Sequence, residues 1–209
     1  MSETEYDVIV AGYGPVGETC ANLLGYYGIK ALILDKEKNT YPLPRAITWD
    51  AECQRAMSHC EFLSEVKTRK IRGVDNKDAN KKSIMKITME GFDTYNYQHR
   101  ILFIHQPQFD EAHRENAKKY STNTIKTGSE LLAVDEVNGI ISCTYKNIDT
   151  DEKFTVKSKY LLACDGANST VRKLNGIKLN SLDADESWMV VDGYTKSSFE
   201  CFTEIDAIQ

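Results

Sequence analysis

Three glycines, Gly12, Gly14 and Gly17, follow the β-branched run Val8-Ile9-Val10 in the order G-x-G-x-x-G. Glycines so placed allow a tight turn, the approach of a pyrophosphate to bare backbone, and close packing of the next helix on the strand. Pro15 and Val16 open that helix, and Pro suits a first helical position. Its uncapped N–H groups and dipole favour an anion. A second apolar run, Ala31 to Leu34, ends in Asp35-Lys36, where a carboxylate can accept hydrogen bonds from a ribose. A third run, Leu161 to Cys164, ends in Asp165-Gly166 and puts another carboxylate at a strand's carboxyl end. G-x-G-x-x-G by itself also occurs in empty strand–turn–helix units. Here strand, helix, second strand and acid follow in order, which points to a nucleotide site.

The fingerprint does not separate NAD from FAD. Two further segments bear on the choice. Tyr41-Pro-Leu-Pro-Arg-Ala puts Arg45 in a proline-stiffened loop after the second strand. Its planar fork could reach a pyrophosphate, or it could be a solvent-exposed loop residue. Phe103-Ile-His-Gln-Pro puts Gln106 at a strand-to-helix junction, where an amide could bridge ribityl hydroxyls or cap the helix.

The elements that must position these residues are legible in outline. The first helix carries Val16, Cys20, Leu23, Leu24 and Tyr27 at helical spacing, and Gly28 is its expected stop. Trp49 to Met57 reads as a helix with Ala51, Ala56 and Met57 packing. The polar stretch from Asp75 to Lys82 reads as a loop. Ile84, Ile87, Met89, Tyr95 and Tyr97 suggest strands, and Phe109 to Tyr120 a helix. Strands near Leu131–Val137, Ile140–Tyr145 and Phe154–Val156 form a meander, with Asn138-Gly139 turning between the first two and the acidic stretch from Asp149 to Glu152 as the next turn. Trp188 to Val191 begins a further strand.

Composition sets limits. A chain of 209 residues buries a sizeable core. The net charge of −5 gives no electrostatic reason to expect nucleic acid. The paired tyrosines and the lysine pairs therefore read as core or solvated surface. No apolar run reaches the length of a membrane span. The acidic N-terminus does not read as a secretory signal. Six cysteines, Cys20, Cys53, Cys60, Cys143, Cys164 and Cys201, include no Cys-x-x-Cys. Cys20 and Cys164 read as packed thiols of a reduced, cytoplasmic protein. His59, His99, His105 and His113 lack metal-ligand spacing, so no metal is expected.

The ordered series Gly12-x-Gly-x-x-Gly17, Asp35, Pro44-Arg45-Ala46, Gln106 and Asp165-Gly166 resembles the class A FAD-dependent aromatic hydroxylases, most closely the 3-(3-hydroxyphenyl)propionate hydroxylases. The likeness extends over Tyr41 to Ala46, Ile104 to Asp110, Leu162 to Arg172 and Trp188 to Asp192. It implies an α/β, Rossmann-like FAD-binding domain of the para-hydroxybenzoate hydroxylase type, with a β-meander and the start of a substrate-domain sheet. It divides the chain into residues 1–75 and 105–178 for FAD, and 76–104 and 179–209 toward substrate.

By resemblance, Gly12, Gly14, Pro15, Val16 and Gly17 hold the FAD pyrophosphate, and Asp35, with Lys36, the adenosine ribose. Arg45 contacts the pyrophosphate side, Ala46 lies near the flavin, Gln106 meets the ribityl chain, and Leu132 offers backbone to adenine. Asp165 and Gly166 serve FAD and NAD(P)H handling. The family usually has Glu where this chain has Asp35, one methylene shorter. The implied reaction consumes NADH or NADPH and O2 and hydroxylates a small phenolic compound; no catalytic acid or base is identifiable. The family's downstream Gly-Asp-Ala-Ala-His string has no counterpart here, so the chain is expected to be the N-terminal portion of a larger enzyme, inactive alone. A non-catalytic FAD-binding module is the alternative. Another FAD-dependent oxidoreductase ranks lower, and halogenases carry a Trp-x-Trp-x-Ile signature that this chain lacks.

Overall fold

The computed structural model describes residues 5–58, 60, 66–89, 99–181, 187 and 207–208. The expectations for Tyr95, Tyr97 and Trp188 to Val191 lie outside these residues, as do His59 and Cys201.

β1 (Tyr6–Ala11) is the axis of the fold. It pairs in parallel with β2 (Ala31–Asp35) on one side and with β11 (Lys153–Ala163) on the other. β8 (Asn123–Thr127) extends the parallel block beyond β2. Beyond β11 the sheet turns antiparallel through β10 (Ile140–Asn147) and β9 (Ser129–Val137), giving the order β8-β2-β1-β11-β10-β9. A strand flanked on both edges and both faces should be a continuous apolar run. Ile9, Val10, Leu32 and Ile33 are accordingly fully buried.

Alternation sorts the side chains onto two faces. Ile9, Ala11, Leu32 and Leu34 pack with Leu131, Cys143, Tyr145 and Val156 of the meander and Val171 of α4 (Thr170–Leu174). Val8, Val10, Ala31 and Ile33 face the other way, toward Ala21 of α1 (Pro15–Tyr26) and Ala117 of α3 (Gln106–Lys118). A third cluster, Trp49, Met57, Cys60, Leu102 and Phe109, joins the foot of α3 to a small sheet of β3 (Thr48–Asp50), β7 (Ile101–Phe103) and β4 (Arg69–Lys70). β5 (Gly73–Lys77), β6 (Ser83–Thr88) and β12 (Ala207–Ile208) form another three-stranded sheet.

Several expectations need correction. Trp49 lies in β3, and the helix α2 (Ala51–Ala56) starts after it, because the Asp50 carboxylate caps Cys53 N at 2.8 Å. Asp75, Asn76 and Lys77 are strand, paired to β6; the turn begins only at Asp78, whose carboxylate accepts from Asn80 and Lys82 N. The Phe154–Val156 and Leu161–Cys164 segments are not two strands. One 11-residue strand, β11, serves the meander with its first half and the parallel block with its second. The stripe expected on α1 packs only in part: Cys20 and Leu24 lie half-buried against the core. Val16 and Tyr27 are exposed, and Gly17, Glu18, Ala21, Asn22 and Gly25 are turned inward. Asn138-Gly139 forms the hairpin as expected, with both residues at positive φ.

The inward face of α1 is small because α3 lies close against it. A Cβ on Gly25 would sit 2.4 Å from the Tyr120 ring, just past the end of α3. Gly25→Ala should therefore destabilise the chain by about 1–3 kcal/mol in urea titration, despite its better helix propensity. In the Tyr120→Gly background, which removes the ring and the Cβ that would stand 2.7 Å away, the same substitution should cost much less.

Candidate dinucleotide site

The carboxyl ends of β1, β2 and β11 lie side by side, and each ends in a residue singled out by its chemistry. β1 runs into Gly12, β2 ends at Asp35, and β11 runs into Cys164 and Asp165. Backbone hydrogen bonds stitch the three ends together. Gly12 N donates to Leu34 O at 2.7 Å, and Cys164 N donates to Ala11 O at 2.7 Å. Gly12 has φ +99°, and a Cβ there would stand 2.3 Å from Cys164 O and 2.8 Å from Asp165 Cα. A Cβ on Gly17 would stand 2.0 Å from Gly12 O. The two motifs, far apart in sequence, are thus in backbone contact that only glycine permits.

Gly14 differs from these two. It is the N-cap of α1, no side chain caps it, and nothing lies within 4 Å of where its Cβ would be. With Pro15 at the first turn, the remaining first-turn amides of α1 open onto this bare position. An uncapped helix N-terminus over open space beside a carboxylate fits the ADP half of a dinucleotide. Val16 is exposed at its rim.

Asp35 is held from two sides. Oδ2 accepts from Tyr13 N at 2.7 Å, and Oδ1 from Glu37 N at 2.9 Å. Lys36 points to solvent. Arg45 and Ala46 are exposed, and the Arg45 guanidinium lies 4.1 Å from the Tyr41 ring centroid. Gln106 does something the sequence did not suggest. Its Oε1 accepts from both Arg45 N and Ala46 N at 2.7 Å, so the amide clamps the proline-stiffened loop to the start of α3. Its Nε2 donates to Asp110 Oδ2 at 3.2 Å, which fixes which end of the amide faces the loop.

Asp165 Oδ2 accepts from Thr170 N and Val171 N at 2.6 and 3.1 Å, capping α4. Its other oxygen is buried with no hydrogen-bond partner among the described residues. Gly166 follows at φ +78° with open space around it. Leu132 sits elsewhere. It is the extra residue of a bulge between the pairs Leu131–Tyr145 and Ala133–Thr144 of β9 and β10, three strands from β1 in the sheet order, although β9 also approaches β2. The structure therefore brings together Gly12, Gly14, Gly17, Asp35 and Asp165, joins Arg45, Ala46 and Gln106 in a second unit, and leaves Lys36 and Leu132 outside both.

Behind the glycine loop lies a buried polar layer that sequence reasoning missed. Glu18 and Asn22 of α1 face Asp110, His113, Arg114 and Asn116 of α3. Arg114 Nε donates to Glu18 Oε1 at 2.7 Å, and its Nη2 donates to Tyr13 O. Asn22 donates to His113 O at 3.0 Å and accepts from Asn116 at 2.7 Å. The signal was available as polar residues at four-residue spacing on both helices, but such spacing ordinarily marks a solvated face.

Burial dominates the titration of this layer. It pushes the Glu18 carboxyl up to about 7, against the hydrogen bond and charge of Arg114. It raises Asp110 to about 6, with the charge of Glu18 adding to it. It lowers His113 to about 4, with Asp110 opposing. The 3.6 Å approach of His113 Nδ1 to Glu18 Oε2 is therefore not an ion pair at neutral pH, because the imidazole is uncharged there.

Comparison with known proteins accords with this geometry. The model of the FAD binding domain family matches residues 5–206. The chain belongs to that family. A 3-(3-hydroxy-phenyl)propionate/3-hydroxycinnamic acid hydroxylase of Comamonas testosteroni is 30% identical over 193 residues, 91% of this chain and 32% of the relative. A hydroxylase of the same description from Escherichia coli is 30% identical over 190 residues, 88% of this chain and 33% of the relative. The chain thus spans about a third of the length of these curated relatives.

Among solved structures, the p-nitrophenol 4-monooxygenase PnpA of Pseudomonas putida matches with TM-score 0.73 at 24% identity, covering 83% of this chain and 44% of that one. The flavin-dependent monooxygenase PieE, solved with FAD and substrate, matches with TM-score 0.71 at 18% identity, over 83% and 33%. These likenesses establish the fold as that of FAD-dependent monooxygenases. No helix among the described residues is long and apolar enough to cross a membrane.

The polar layer gives stability a pH dependence. Glu18 and Asp110 bind protons more tightly folded than unfolded, so each favours folding at acid pH and loses that contribution as pH rises through its folded value. His113 has the opposite sign, its cost relieved between pH 4 and 6.5. Above pH 6.5 Glu18 is the main one of the three still titrating. Glu18→Gln cannot ionise. Its stability relative to wild type should therefore improve by about 1–3 kcal/mol between pH 5 and pH 8, read by urea titration. A constant difference would mean that Glu18 does not titrate in this range.

Proposed function

We propose that this chain binds FAD across the carboxyl ends of β1, β2 and β11. The observation that carries this reading is the glycine-only contact of Gly12 with Cys164 and Asp165, which joins both motifs into one cradle beside Asp35. In this reading Gly12, Gly14, Pro15, Val16 and Gly17 face the pyrophosphate, and Asp35 accepts from the adenosine ribose. Arg45 swings from Tyr41 onto the pyrophosphate side, and Ala46, clamped by Gln106, lies toward the flavin. Gln106 keeps its amide oxygen for the loop and acts on the ribityl side chiefly by holding Arg45 and Ala46. Asp165 and Gly166 close the site from β11.

Similarity to the hydroxylases supports a monooxygenase that takes a small phenolic compound, O2, and NADH or NADPH. Bound FAD, reduced by the nicotinamide, would activate O2, so that one oxygen atom passes to the substrate and the other leaves as water. This chain's residues bind and orient it, and residues 76–104 and 179–209 belong to the substrate side. No residue described here is assigned as a catalytic acid or base.

The test is direct. The purified chain titrated with FAD should show a red-shifted, partly quenched flavin spectrum; an unchanged spectrum with no measurable binding would remove the reading. Arg45→Lys keeps the charge but loses the fork, and should weaken FAD binding by about 1.5–3 kcal/mol. Equal affinity would leave Arg45 as a loop residue stacked on Tyr41.

A further inference from the structure

Asp35 is oriented by Tyr13 N and Glu37 N, and a guanidinium on α3 lies beside it. Arg114, on the third turn of α3, is nearly buried. Its guanidinium reaches three groups at once. Nε donates to Glu18 Oε1 at 2.7 Å, Nη2 donates to the Tyr13 carbonyl, and Nη2 stands 3.7 Å from Asp35 Oδ2. The Tyr13 ring lies against the guanidinium, 4.7 Å from its centroid, and the Tyr13 hydroxyl donates back to Arg114 O at 3.3 Å. Tyr13 N donates to the same Asp35 Oδ2 at 2.7 Å. Tyr13 is thus held by Arg114 through its carbonyl and ring, and presents its amide to Asp35. Tyr13 is itself the x between Gly12 and Gly14, so the fork ties the glycine turn to the acid that ends β2.

Glu18 makes this arrangement one-sided. It is fully buried and fixes the Nε edge of the fork, leaving the Nη2 edge for Tyr13 and Asp35. The fork also provides a positive charge between two carboxylates that would otherwise repel. An aspartate is one methylene shorter than a glutamate, so its oxygens have less latitude to find a ribose. A fixed carboxylate loses less freedom on binding.

We propose that Arg114 is a positioning residue for Asp35, holding its carboxylate, through the Tyr13 turn, where it accepts hydrogen bonds from the hydroxyls of the adenosine ribose. This rests on the reading of the cradle as an FAD site. It assigns Arg114 no contact with the cofactor. Its effect should appear only where ribose hydroxyls are present.

The test compares ADP with 2′,3′-dideoxy-ADP, titrated calorimetrically into the flavin-free chain. Wild type should prefer ADP by about tenfold or more, the scale of one or two hydrogen bonds to a charged group. Asp35→Asn should reduce that preference severalfold. Arg114→Gln should reduce it similarly while changing the affinity for the dideoxy analogue by less than about threefold, and the double variant should lose little more than either single one.

Arg114→Gln that retains the full preference, or that loses both nucleotides equally, overturns the proposal. If Arg114→Gln does not fold by circular dichroism, Arg114→Lys decides: it keeps the charge beside Glu18 but has no second arm, and its preference for ADP should still fall. Full preference in Arg114→Lys would then overturn the proposal. Wild type that binds neither FAD nor ADP would overturn the FAD reading itself, and this inference with it. Wild type that binds both while the variants discriminate normally overturns only the role of Arg114.

Discussion

The approach of Gly12 to the backbone of Cys164 and Asp165 is the contact on which the rest of this structure depends. Any side chain at Gly12 would occupy the space of the Cys164 carbonyl, and any at Gly17 the space of the Gly12 carbonyl. The glycine turn, the start of α1 and the end of β11 therefore converge on one point. That convergence lets β1 sit between β2 and β11, and it brings three strand ends into the crevice where ligands bind in open α/β sheets. Gly14 carries the opposite message. It is bare without steric need, with open space beside it. Two of the glycines close the protein on itself, and the third leaves backbone accessible.

A second constraint comes from α1 and α3. Their facing surfaces are small and polar, and Glu18, Asn22, His113 and Asn116 are all nearly inaccessible to solvent. A layer of this kind is costly unless its groups are partnered. Here Arg114 and the two asparagines supply most of the partners, and Asn22 also donates to the His113 carbonyl on α3 and to the Glu18 carbonyl on its own helix. The directional bonds set the rotation of α1 relative to α3, which an apolar interface would leave looser. Since α1 carries the amides of the glycine turn and α3 carries Gln106, this register also relates the cradle to the Arg45 loop.

The convergence of the site's residues is more legible in the sequence than the layer that supports them. Gly12, Gly14, Gly17, Asp35 and Asp165 were legible because backbone approach and strand ends demand particular residue types at fixed spacings. β11 reads as two pieces because its first half alternates, as a half-exposed antiparallel strand does, while its second half is a short apolar run. One strand with two kinds of neighbour carries both patterns. Trp49 reads as helical because the stripe of Ala51, Ala56 and Met57 follows it; the Asp50 cap, which decides the boundary, lies between. β8 was missed altogether, since Asn123–Thr127 carries few apolar residues and owes its place to pairing with β2. The polar spacing of the Glu18–Arg114 layer reads as a solvated face, because a buried carboxylate and a solvated one look alike until the partner helix is known. The clamp of Gln106 on Arg45 and Ala46 joins residues about sixty positions apart and could be found only in three dimensions.

The central claim is that the carboxyl ends of β1, β2 and β11, with the loop that Gln106 clamps, form one cradle for FAD. Amide hydrogen exchange of the chain, followed by mass spectrometry with and without FAD, tests it most directly. The account predicts that FAD slows exchange in peptides covering Gly12 to Glu18, Asp35 to Glu37 and Arg45 to Ala46, and in the segment after Asp165, together and with one apparent affinity. Riboflavin, which lacks the pyrophosphate and adenosine, should leave the first two segments unchanged. Protection by FAD that omits Gly12 to Glu18, or equal protection of that segment by riboflavin, would contradict the account.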